Sequence, residues 1–340
     1  FTNSGLTGRQ MQDKAKNMLY DWFVTFRKEG FTEWNSSPYL PIDTLGFGSL
    51  YAFAQDPAMR ELGREGMDFA YYLLAVHSQQ GIFASSSGRT YIKEQFGNWS
   101  NCPSGLSWIG YGYGVPGHAG KGITSYCLSD YEPPKEFAQW FSIPRGKEMI
   151  CQTTQGNDGY VDLYTYKTAD YMMTSANDFH PGEPGHQENP FQLTFNAVAQ
   201  LWVTHPGERV LFGAARPSYW AGNGTLPKVN QYKAFAGLIY DIAPEHPVDF
   251  THLYLPSMEF DRCEVEGKWA FVQLGSAYAA VYCSNGMRMQ DFGSNKDREC
   301  IAEGRRCIWL VRAAQADEFA AFEDFKAAMR GASLDADAEG

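Results

Sequence analysis

The chain has 340 residues, 44% of them hydrophobic and 15% aromatic, with a formal net charge of −11. That length fits one large domain or two ordinary ones, and no segment is long or apolar enough to span a membrane. The acidic balance argues against general nucleic-acid binding, which needs a basic face. The aromatic surplus suits both packed sheets and stacking against sugar rings.

Taken in order, residues 9–29 read as an amphipathic helix, with Met11, Ala15, Met18, Leu19, Trp22, Phe23 and Phe26 on one face and Gly30 as the stop. After a loop through Glu33, Trp34, Asn35 and Ser36, a second helix is expected over about 40–54. Asp56-Pro57 opens a third, running to about His77. Gly81 to Gly88 is a small-residue loop leading into Arg89 and Tyr91, and residues 97–133 are rich in Gly, Pro, Ser and Trp, with little regular structure expected. A short helix is expected near 134–141.

The period then changes. Alternation over 160–166, 191–195, 269–274 and 278–283, with further candidates at 232–242, 250–255 and 307–312, reads as antiparallel strands. An amphipathic helix through Phe319, Phe322, Phe325 and Met329 closes the chain over 316–330. Helices first and strands after point to a multidomain α+β protein, split into 1–148 and 149–340.

Seven Cys, at 102, 127, 151, 263, 283, 300 and 307, include no CxxC pair, which argues against a zinc ribbon. Cys283, Cys300 and Cys307 cluster closely enough to include a disulfide. Asn98-Trp-Ser and Asn223-Gly-Thr are N-glycosylation acceptor sequences. With a start at Phe1 rather than Met, they lean the reading towards a secreted or periplasmic protein.

Polar chemistry concentrates in loops held by a rigid scaffold. The stretch from His180 through Glu183, His186, Gln187, Glu188 and Asn189 into Phe191, and on to His205, is such a loop feeding a strand. Its simpler reading is a surface loop whose histidines only make hydrogen bonds. Glu33, Trp34 and Asn35 lie at a turn between helices, where such residues cap routinely, but a mid-loop Trp also offers a sugar-stacking face. Arg89 suits a carboxylate fork and Tyr91 proton transfer if its pKa is lowered; by residue type alone both fit a plain turn. Trp220, in an aromatic loop opened by Arg216, fits either a glycan cleft or a cover over the sheets. His77 reads as a core or capping residue, and the Lys167–Tyr171 segment as sheet surface.

Three places resemble the heparinase II/III-like polysaccharide lyases. These are the Trp34-Asn35-Ser36 turn, Tyr91 following a Gly/Ser loop, and the run His186-Gln-Glu-Asn189-Pro-Phe191-Gln-Leu193 followed by His205-Pro-Gly207. The resemblance implies a partial α/α toroid followed by an antiparallel β-sandwich, although four to six helices are fewer than a whole toroid. It implies Asn35, Arg89, Tyr91 and His186 as catalytic residues. Glu33, Trp34, Tyr39, His180, Gln187, Glu188 and Trp220 join them as substrate-binding candidates. Asn189 and His205 stand where the family often has Asp, and Ser36 where some members have His. Some members hold a structural metal with such residues; no cofactor is otherwise required.

The expected activity is β-elimination on a uronate-containing polysaccharide or oligosaccharide. Neutralising the carboxylate, by Asn35 or Arg89, brings the carbanion-like transition state within reach, while Tyr91 and His186 share the base and acid tasks. The alternatives are a glycoside hydrolase using two of Glu33, Asp43, Glu183 and Glu188, and a non-catalytic glycan-binding protein.

Overall fold

The computed structural model describes residues 3–95, 101–116, 123–156 and 161–333. These are mixed α plus β, with eight α-helices and two antiparallel sheets. The helical part contains α1 (Gly8–Glu29), α2 (Leu40–Phe53), α3 (Pro57–Val76), α4 (Ile92–Gln95), α5 (Ser104–Tyr111), α6 (Ile123–Cys127) and α7 (Ala138–Phe141). The strands are β1 (Met149–Gln155), β2 (Val161–Lys167), β3 (Met172–Asn177), β4 (Phe191–Thr194), β5 (Gln200–Thr204), β6 (Lys228–Tyr232), β7 (Phe235–Asp241), β8 (Phe250–Tyr254), β9 (Arg262–Glu266), β10 (Trp269–Leu274), β11 (Ala277–Cys283), β12 (Arg288–Met289), β13 (Glu299–Glu303) and β14 (Arg306–Gln315). Helix α8 (Phe322–Arg330) follows. No described helix is long and apolar enough to cross a membrane.

Local chemistry explains the long helices. Thr7 and Gln10 form a reciprocal capping box at the start of α1, and Gly30, at φ 67°, ends it. Only part of its expected apolar face is covered: Phe23 and Phe26 are buried, whereas Met18 and Trp22 remain exposed. Asp56 caps α3 by accepting from the Ala58 amide, and Pro57 sits at the first helical position. His77 ends α3, buried, with Nδ1 2.9 Å from the Thr165 hydroxyl. The stretch expected to be irregular contains α5. The last helix forms only from Phe322, where Phe322 and Phe325 pack on Tyr278.

The larger sheet runs β1-β2-β3-β4-β5-β8-β13-β12 and the smaller β6-β7-β14-β11-β10-β9. Alternation sends Leu193, Leu201, Val203 and Leu253 of the larger sheet into one cluster with Val229, Leu238, Val272, Val281 and Val311 of the smaller. The opposite face of the larger sheet is buried too, under the helical part, and is largely polar. Thr194 donates to the Ala84 carbonyl at 2.6 Å, and the Ser86 amide donates to the Thr174 hydroxyl at 2.8 Å.

Lys167 corrects the surface reading of its segment. It is fully buried and donates to the Ala75 and Trp140 carbonyls at 2.9 and 2.8 Å, at the ends of α3 and α7. Carbonyls in the last turn of a helix carry partial negative charge, so an amine donor suits both. Asn223 corrects the second glycosylation reading: it is buried, its side chain bonded to the His205 amide, the Glu188 carbonyl and the Tyr240 hydroxyl. The Asn98 acceptor lies outside the described residues. Cys283 and Cys307 bring their sulfurs to 3.2 Å on neighbouring strands, and both are free thiols, as is Cys300.

Candidate functional site

Three segments far apart in sequence are joined by backbone hydrogen bonds at one end of the larger sheet. Gly88 N donates to Trp34 O at 2.7 Å, Ser87 and Asn189 exchange both bonds at 2.9 and 2.7 Å, and Thr90 N donates to Gln187 O at 3.1 Å. Gly88 is required where it lies, because a Cβ there would come 2.7 Å from the Trp34 indole nitrogen. Behind the third segment, Gly222, at φ 89°, lets its loop approach so closely that a Cβ would meet the His186 carbonyl at 2.2 Å.

These segments wall a cleft of about 390 Å³, whose lining includes Glu33, Trp34, Arg89, His180, Glu183, His186 and Glu188. Non-glycine residues at positive φ are uncommon and gather at functional sites. Asn35, Asp178 and His180, with φ of 46°, 48° and 46°, lie in or beside the segments around this cleft.

Arg89 is the hub. Its Nε donates to Glu33 at 2.6 Å, its Nη1 to the Gln187 side chain at 2.9 Å, and its guanidinium lies 5.3 Å from the Tyr39 ring centroid. Arg89 and Tyr39 both lie close enough to Tyr91 to act on its phenol. The exposed Arg216 guanidinium sits 5.4 Å from the Tyr91 ring centroid.

Partial burial pushes the Tyr91 phenol up, but the hydrogen bonds from Arg89 and Tyr39 and the charges of Arg216 and Arg89 bring it below the ordinary tyrosine value. Hydrogen bonding to Tyr91 raises Tyr39 above that value. Burial, then the negative charge of Glu33, pushes the Asp43 carboxyl up to about 7.

The sequence-derived candidates separate into three groups. Glu33, Trp34, Arg89, His180, His186 and Glu188 share the cleft; Tyr91 and Tyr39 adjoin it through Arg89. His186 is exposed on the wall, and His180 pairs with Glu183 at 3.4 Å. Trp34 is 2% exposed and packs on Phe179, so it offers an edge rather than an open stacking face. Asn35 and Gln187 lie behind the lining. The Asn35 amide donates to Ser86 O at 3.3 Å and accepts from Gln155 at 3.0 Å, while Gln187 is held between Arg89 and the Thr90 carbonyl. In this arrangement Asn35 shapes the turn, at a φ that Asn tolerates, rather than facing a substrate carboxylate.

Trp220 lies elsewhere, buried and stacked on His252 at 4.2 Å, within a cluster holding Trp202 and Tyr254. His252 is tied to Glu299 at 2.7 Å there.

Sequence reasoning missed Gln155, which fixes Asn35, and Phe179 and Leu226, which line the cleft. Neither a motif nor a spacing marks them. The position of Arg216 carried one signal, a cation opening an aromatic loop.

Among the described residues, Asn189 and His205 stand apart from any ligand cluster, although Asn189 Oδ1 and His205 Nδ1 have no hydrogen-bond partner. Both are buried with protein partners, Asn189 on Gln192 and His205 on the Val248 carbonyl, and burial takes His205 down to about 3. Among the described residues no three His, Cys, Asp or Glu side chains gather as metal ligands would.

No protein-family model matches the chain, and no curated protein or solved structure is significantly similar to it.

Proposed function

We propose that the protein is a carbohydrate-active enzyme, a polysaccharide lyase that cleaves a uronate-containing glycan by β-elimination. One observation carries this reading: Tyr91 lies within reach of both Arg89 and Arg216, its phenol is held below its ordinary pKa, and it adjoins, through Arg89, an open cleft with His186 on its wall. Tyr91 takes the proton alpha to the uronate carboxylate. The electron pair left on that carbon forms the double bond as the glycosidic oxygen leaves, and His186 protonates that oxygen. A cation beside the base serves twice, lowering the phenol pKa and offsetting charge on the carboxylate. The finer fold reading, an incomplete α/α toroid on a β-sandwich, belongs to this proposal, as does a secreted or periplasmic place for the enzyme.

Tyr91→Phe tests it. The ring stays, so the unfolding midpoint should hold, while formation of unsaturated uronate, followed by ultraviolet absorbance, should fall about 100-fold or more. Wild-type turnover in this variant removes Tyr91 from the mechanism.

One observation favours a second reading, a glycoside hydrolase. Asp43, at about 7, keeps a large protonated fraction at neutrality and feels the Glu33 charge, the acid-and-carboxylate pattern that hydrolysis needs. Its products are saturated and carry one added water. Binding without turnover would leave a glycan-binding protein.

A further inference from the structure

Within the lyase reading the substrate carboxylate needs a partner, and most candidates are already committed. Arg89 is engaged by Glu33, Gln187 and the Tyr39 ring. The Asn35 amide is used by Ser86 and Gln155 and is 2% exposed. Arg216 differs. It is exposed, its guanidinium lies over the Tyr91 ring, and among the described residues no carboxylate pairs with it.

The cleft that Arg89 lines has the opposite character. Its lining holds Glu33, Glu183 and Glu188 against the single guanidinium of Arg89, which Glu33 already neutralises. Carboxylates so placed repel further carboxylates.

We propose that Arg216 anchors one substrate carboxylate beside Tyr91, and that the adjoining cleft takes uncharged sugars. The substrate class is therefore a glycan whose uronates are spaced by neutral residues, not a polyuronate. A guanidinium is suited to the task, because its planar fork matches a carboxylate in two parallel hydrogen bonds. An anchor over the Tyr91 ring holds that carboxylate beside the proposed base. This inference rests on the lyase reading for the role of Tyr91, but the anchor is testable by binding alone.

The experiment uses the full chain and three trisaccharides: one with a single central uronate, its carboxyl-reduced neutral analogue, and one made of three uronates. Calorimetry gives the affinities, and ultraviolet absorbance reports elimination. For the wild type, the single-uronate sugar should bind at least tenfold more tightly than either other. Arg216→Gln should bind it about as weakly as the neutral analogue, with an unchanged unfolding midpoint, and Arg216→Lys should recover part of the loss.

If Arg216→Gln keeps the wild-type preference, the anchor is overturned. If the three-uronate sugar binds most tightly, the neutral cleft is overturned. A wild type indifferent to the carboxylate overturns both the anchor and the lyase reading. An Arg216-dependent preference with no unsaturated product upholds the anchor and rejects the lyase reading.

Discussion

The two faces of the eight-stranded sheet are both buried, yet they are built from different chemistry. The face towards the smaller sheet is apolar, with Leu193, Leu201, Val203 and Leu253 interlocked with its partner's side chains. The face towards the helices carries Thr165, Lys167, Thr174, Gln192, Thr194 and Gln200, each at most 1% exposed. Dispersion and water exclusion hold the first face, whereas directional bonds hold the second. Gln95 donates to Gln192, which donates to Gln200, while Asn189 also donates to Gln192, at 3.1, 2.8 and 2.8 Å. A buried polar layer costs free energy unless satisfied, and here it fixes the loops that carry Arg89, Tyr91 and His186. The lesson is one of division: one face supplies stability, the other sets loop position.

The largest expected stability effect lies on the apolar face. Leu253→Ala should destabilise by roughly 2–5 kcal/mol, because a fully buried side chain leaves a cavity its neighbours fill only in part. Denaturant titration measures it, and a loss below about 1 kcal/mol would mean that the sheets are not tightly packed there. On the polar face, Thr194→Val keeps the shape but leaves the Ala84 carbonyl without its donor. A cost of about 1–3 kcal/mol is expected. Glycan turnover should also fall, because the 84–91 loop loses its tether to β4. A variant with wild-type turnover and wild-type stability would break the proposed division between the faces.

The same contrast explains what was legible in the sequence. Alternating apolar residues located β10 over its full span, Trp269–Leu274, and placed β4 and β11 closely. Strands with two buried faces are harder: β5 has all five residues buried, including Gln200 and Thr204, and shows no clear alternation. Lys167 read as surface because a lysine inside a protein requires partners, here the Ala75 and Trp140 carbonyls, which are distant in sequence. At the site, Arg89, His186 and Glu188 stood out by type and loop context and do share the cleft with Glu33. The burial of Asn35 and Trp220 was not legible, since it depends on Gln155 and His252.

The smallest expected effect, and the one that separates the faces by pH, concerns Lys167→Met. Burial brings the amine down to about 7 from its ordinary 10.5, against a smaller opposing contribution from Cys151. His77, also buried, is taken down to about 3, by burial first and the Lys167 charge second. Between about 7 and 10.5 the unfolded chain therefore binds a proton at this position that the folded protein does not. Stability contributed by this group accordingly rises with pH through that window, and below about 7 the folded state bears the full cost of a buried charge. Methionine removes both that cost and the two hydrogen bonds, leaving two carbonyls without this donor. These terms oppose each other, so near pH 6 the variant should lie within about 1–2 kcal/mol of the wild type. By pH 9 the deficit should have grown, because only the wild type gains from releasing its proton. Paired denaturant titrations at the two pH values cancel every other titrating group to first order. A deficit that shrinks with rising pH would show that Lys167 folds as a stabilised cation, and the polar face would then be held by charge rather than by neutral hydrogen bonds.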